Sequence, residues 1–123
     1  MTRNISLRSI IKGDGVFNGM NFPDWDLALR IVLGQEKLLY VLDNPIPPEP
    51  SRDDVALWES WRKLHDDNIQ AQAIMLAGMN PTYRRQNKGY TAYEMMARLQ
   101  DLHASSVRAE RYEISKKLFR SRM

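Results

Sequence analysis

The side chains that could do chemistry in this chain are few, and their spacing limits what they can do. Its two histidines, His65 and His103, stand far apart, and neither belongs to a metal-binding spacing such as H-E-x-x-H. A lone histidine near a helical apolar face is ordinarily structural. Asp53 and Asp54 fall in an opening helical turn, where the macrodipole favours carboxylates. Asp66 and Asp67 read as a solvated face, and neither pair lies in a glycine-containing calcium loop. "KGDG" (12–15) is a turn without the continuation of a phosphate loop, and no G-x-S-x-G elbow occurs. The absence of cysteine removes disulfides and every Cys-based zinc site. No enzyme, cofactor, metal site or small-molecule substrate is expected.

Positive charge is the other candidate chemistry. Residues 1–83 carry 8 Lys/Arg against 11 Asp/Glu, whereas residues 84–123 carry 10 against 4. Such polarity attracts nucleic acid or orients copies of one protein head to tail. Arg84, Arg85 and Lys88 lie close to Tyr83 and Tyr90, a composition suited to nucleic acid. Arg108, Arg111, Lys116 and Arg120 extend the candidate surface along the last helix. A structural reading competes: Glu113 and Lys117 form a favourable i,i+4 pair, and Lys117, Arg120 and Arg122 suit a helix C-terminus.

The elements that must position these residues are helical, and no segment alternates in the manner of a strand. In "NFPDWDLALRIVLGQ", Pro23 suits a first turn, and Trp25, Ala28, Leu29, Val32 and Leu33 recur at threes and fours before Gly34, which can end the helix. "KLLYVLD" (37–43) is a short helical cluster. "NPIPPEP" (44–50) cannot be helix interior and reads as an extended connector. Ser51 with Asp54 resembles a capping box, and Leu57, Trp58, Trp61 and Leu64 then face one way. From Ile69 to Met79 apolar residues surround the helix, as in a bundle centre. "NPTYRRQNKG" reads as a polar connection. Thr91 and Glu94 form a second capping box, with Tyr90 and Met95 placed as its hydrophobic staple. A last helix is expected after "ASS" (104–106), with Val107, Ile114 and Leu118 on one stripe.

The length of 123 residues suits one domain, expected to be an all-α bundle of about five helices, with residues 1–16 as a flexible arm. No apolar run approaches the roughly 18 residues needed to span a bilayer, and the N-terminus lacks the apolar stretch of a secretory signal. A membrane partner is therefore not expected.

The ordered motifs resemble a known family. "FNGMNFPDWDLALRIVLGQEKLLYVLDNPIP" is similar to the opening of the Gag polypeptide of copia-type LTR retrotransposons, especially those of plants. It carries the hallmark Gly-x-Asn-aromatic-x-x-Trp box as Gly19, Asn21, Phe22 and Trp25. "WRKLHDDNIQAQAIMLAGM", "TAYEMMARLQDLH" and "SVRAERYEISKKLFRSRM" resemble later helices of that family in the same order. The match covers essentially the whole chain, though "LHASS" (102–106) stands where many relatives have an aromatic-Gly turn. The resemblance implies a capsid N-terminal-domain-like fold and the N-terminal capsid portion of a Gag, truncated or cut at Met123. It also implies a structural role: copies self-associating into a cytoplasmic particle that packages element RNA. Trp25, Trp58 and Trp61 are assigned to the core, with Leu118 and Phe119 in the family's last helix. Two alternatives stand beside this reading. One is a nucleic-acid-binding helical module using the basic C-terminal third. The other is a truncated or domesticated Gag relic acting as a protein-interaction domain.

Overall fold

The computed structural model describes the backbone over residues 8–121 and side chains over residues 10–111. Its helices are α1 (Arg8–Ile11), α2 (Phe22–Gln35), α3 (Val55–Ala77), α4 (Pro81–Asn87) and α5 (Ala92–Ser121), with 3-10 turns at Gly13–Gly15 and Leu39–Asp43. Among the described residues there is no strand, so the fold is all-α, with four helices longer than the single turn of α1. Within the segment expected to be a flexible arm, α1 is helical and Ile10 is fully buried.

Helix α2 forms as its pattern dictates. Proline occupies its first turn, and Phe22, Trp25, Leu29, Val32 and Leu33 face the core. Its end is not made by Gly34. The amide of Leu38 donates to Leu33 O at 2.7 Å and that of Lys37 to Gly34 O at 3.1 Å, the two bonds of a Schellman motif. Lys37 itself takes the left-handed conformation (φ 60°) where glycine is usual. The buried side chains of Leu33 and Leu38 supply the hydrophobic closure of this motif.

The N-cap of α3 lies three residues beyond Ser51, the expected one. Asp54 is the N-cap and accepts from Leu57 N at 3.2 Å, while Ser51 Oγ accepts from Asp53 N and stabilises the preceding turn. The polar connection after α3 contains α4, whose cap is Asn80, accepting from Tyr83 N at 3.0 Å, followed by Pro81 at the first helical position.

Helix α5 runs unbroken through residues 104–106, where two helices were expected. Ala-Ser-Ser contains neither glycine nor proline, so nothing there disrupts the i→i−4 ladder. Its N-terminus is capped both by its own residues and by α3. Thr91 Oγ1 accepts from Glu94 N, Glu94 Oε1 accepts from Thr91 N, and buried Asn68 of α3 accepts from Ala92 N at 2.9 Å. Gln72 adds a bond from its amide to Tyr90 O at 2.7 Å. These bonds fix the start of α5 against the middle of α3.

The core joins Ile10 and Phe17 to the inner faces of α2, α3 and α5, with Val41 and Leu42 closing one side. Trp58 and Trp61 are not in it, which corrects the core assignment made for them. Both are only half-buried, because on their face the start of α3 meets the proline connector and not another helix. Met75 is buried in the second half of α3 and Met79 just past its end, but Ile69 is 52% exposed, so that half is not apolar-packed all round.

Candidate functional site

The Gly-x-Asn-Phe-x-x-Trp box folds into a structural knot. Gly19 adopts φ +90°, and a Cβ there would collide with the Tyr83 hydroxyl. Asn21 is the N-cap of α2, yet its side chain serves the preceding loop. It accepts from Asn18 N at 3.0 Å and donates to Val16 O at 2.9 Å. The loop thus held delivers Phe17, whose backbone bridges the α3–α4 junction: its amide donates to Gly78 O at 2.8 Å and its carbonyl accepts from Asn80 N at 3.0 Å. Phe17 then packs at centroid distances of 5.2 Å from Trp25, 4.7 Å from Tyr83 and 6.3 Å from Phe22. Gly78 lets Trp25 come close, since a Cβ there would lie 3.1 Å from the indole Nε1. Each box residue therefore has a folding role: a turn, a loop clamp and two buried rings.

The candidate nucleic-acid residues divide. Arg84 is committed to the fold, its guanidinium donating to Leu76 O in the last turn of α3 and to Met79 O just past it, at 3.0 Å each. Arg85 and Lys88 are exposed on and just after α4, and Arg108 and Arg111 on α5, with Arg108 bonded to Ser105 Oγ. Lys116, Arg120, Leu118 and Phe119 lie in α5 but outside the described side chains. A shallow cleft of about 300 Å³, lined by Gln86, Arg98, Asp101, Leu102 and Ser105, separates α4 from α5. Arg98 lies over the Tyr90 ring, 4.3 Å from its centroid.

The histidines are used in packing. His103 lies 5.2 Å from the Phe22 ring, and His65 stacks on Trp61 at 4.9 Å. Among the described residues no group of three or more acidic or imidazole side chains could hold a metal ion, and no helix is long and apolar enough to cross a membrane.

A second surface emerges where the tryptophans were misassigned. Trp58 and Trp61 stack at 5.3 Å, continue into His65, and carry Arg52 4.7 Å from the Trp58 centroid. The Trp61 indole donates to Pro47 O at 2.9 Å, which pins the proline connector to α3. Beside this bond Pro47, Pro50, Leu57, Trp61 and Leu64 line an apolar cleft of about 270 Å³. Leu57 and Val55 project from the same end, 57% and 67% exposed. The grouping of Leu57, Trp58, Trp61 and Leu64 on one face is legible in their spacing; that the face is only partly covered is not.

One polar trio fastens the connector's other end. Asp67 accepts from the Tyr40 hydroxyl and from Lys63 Nζ, the latter at 2.9 Å. Burial opposes ionisation of Asp67, but the bonds from Lys63 and Tyr40 outweigh it and hold its carboxyl below the usual range. Burial, and then the bond to Asp67, push the Tyr40 phenol up. The Asp67 bond likewise raises the Lys63 ammonium. The trio ties the 3-10 turn to α3, and an open cleft of about 420 Å³ lined by Tyr40, Asn44, Ser60, Lys63 and Leu64 lies beside it.

The chain matches no protein-family model, no curated protein and no solved structure.

Proposed function

We propose that this chain is the N-terminal capsid region of a copia-type retrotransposon Gag, a non-enzymatic structural protein whose copies assemble in the cytoplasm into a particle enclosing element RNA. The observation that carries this reading is the convergence of Gly19, Asn21, Phe22 and Trp25 on one knot. Those residues define the resemblance to the family, and here they act together in organising a helical domain. Exposed apolar side chains at the start of α3 give such a domain surface with which to meet copies of itself.

Size-exclusion chromatography with light scattering, read at 260 and 280 nm in low and high salt, tests it. Mass above 14.4 kDa without nucleic-acid absorbance is the expected result. A monomer carrying nucleic acid only at low salt would favour the alternative, a nucleic-acid-binding module. That second reading draws on the exposure of Arg85, Lys88, Arg108 and Arg111. A monomer free of nucleic acid in both buffers would remove both readings for this segment and leave the protein-interaction relic.

A further inference from the structure

The molecule has two poles, and they differ in charge and shape. The bond from Ala92 to Asn68 seats the start of α5 beside the middle of α3. Further along, His103 of α5 meets Phe22, which packs on Phe17, which is bonded to Gly78 just past the end of α3. The two helices therefore advance in the same general direction, from the Asn68 level toward the Gly78 level. The first half of α3 stands behind that starting level. The second half of α5 runs beyond the Phe22–His103 contact, about 27 Å of helix at 1.5 Å per residue over residues 104–121. Over residues 104–111 only Val107 is half-buried; the others are exposed.

The charge of these poles is opposite. Residues 49–67, which hold the proline-tryptophan shelf, carry six acidic against three basic side chains; residues 104–121 carry five basic against two acidic. Glu59, Asp53 and Asp54 are exposed around the shelf, and Arg108 and Arg111 are exposed on the arm. Because α5 is one continuous helix, its arm cannot fold back on the shelf of its own chain, which lies at the other pole.

The geometry points to a head-to-tail contact in which the basic arm of α5 from one copy docks on the acidic proline-tryptophan shelf of the next. The occupant is a second copy of this chain, so the inference rests on the self-associating reading above and names its two surfaces. Leu57, Trp61 and Pro50 supply the apolar floor, and the surrounding carboxylates attract the arginines and orient the approach. The contact joins two different patches, so it is heterologous and propagates into a ring or an open chain.

Sedimentation velocity over a concentration series tests this with three proteins: the unchanged chain, a shelf variant Leu57→Asp, and an arm variant Arg108→Glu with Arg111→Glu. All three sites are exposed, and thermal melting checks that each variant folds. The unchanged chain is expected to self-associate, and each variant alone at least about tenfold more weakly. The decisive sample is the equimolar mixture. The arm variant keeps an intact shelf and the shelf variant an intact arm, so the mixture forms a heterodimer that grows no further. A mixture that stays monomeric, or variants that assemble as well as the unchanged chain, would overturn the proposed contact and leave self-association standing. An unchanged chain that remains monomeric throughout would overturn both.

Discussion

Trp25 and Trp61 each stand within the first two turns of a helix, each with an aromatic residue three positions earlier, and their surroundings diverge. Trp25 is covered by Phe17, by Gly78 and by Ile10, and is 1% exposed. Trp61 is covered by a proline strap, a ring above and a ring below, and remains half-open. Helical spacing determines which side chains share a face. Whether a second layer reaches that face depends on partners distant in the chain, here a loop brought in by Asn21 and a bridge at Met79.

The contrast can be broken most severely at Trp25. Replacing it by alanine is expected to cost about 3–5 kcal/mol, a large share of a small domain's stability, seen as loss of most of the urea transition. Gly19→Ala is expected to cost about 2 kcal/mol, since it forces a side chain into φ +90° and against the Tyr83 hydroxyl. Adding Tyr83→Phe should recover part of that loss by removing the hydroxyl while leaving the backbone strain, a coupling readable in a double-mutant cycle. Arg84→Ala is expected to cost about 1–2 kcal/mol in chemical denaturation through the loss of two charged hydrogen bonds to backbone carbonyls. A fall in nucleic-acid affinity with unchanged stability would reverse that assignment.

At the shelf the effects shrink. Trp61→Ala should cost only about 1 kcal/mol in the same assay, from the lost bond to Pro47 and the broken stack. A loss as large as that at Trp25 would place Trp61 back in the core. Smallest of all is the pH dependence of the Asp67 clamp. Its folded pKa is depressed, so the stabilisation is present above the ordinary carboxylate range near ~4 and is lost as pH falls through the folded value. Asp67→Asn should flatten that part of the acid-side stability profile, measured by urea unfolding at stepped pH.

Local signals were the ones legible in the amino-acid order. Thr91 and Glu94 announce the start of α5 because the capping box involves residues three apart, and both of its bonds form. The buried stripe of α2 follows from its period. The cap of α3 was displaced because Asp54 competes with Ser51 for the same role. The end of α2 was missed because a Schellman motif here uses Lys37, not glycine, and the buried Leu33 and Leu38 offset the cost of its positive φ. Arg84 reads as a phosphate ligand in sequence because its carbonyl partners, in and just past the preceding helix, are reached only after the chain turns at Gly78 and Asn80. The uncovered shelf had no local signal at all, since exposure of Trp58 and Trp61 depends on what the rest of the chain does not bring to them.

A continuous α5 also has a mechanical consequence. Its first turns are clamped by Asn68 and the Thr91–Glu94 box, and the same helix continues to Ser121 like a lever on a fixed pivot. A tilt of about ten degrees at the Phe22–His103 level would carry the tip sideways by about 5 Å over that length. Small repacking around two rings is thereby amplified into a displacement comparable to the pitch of a helical turn. Substitutions at Phe22 or His103 would accordingly redirect the arm without touching any residue on it.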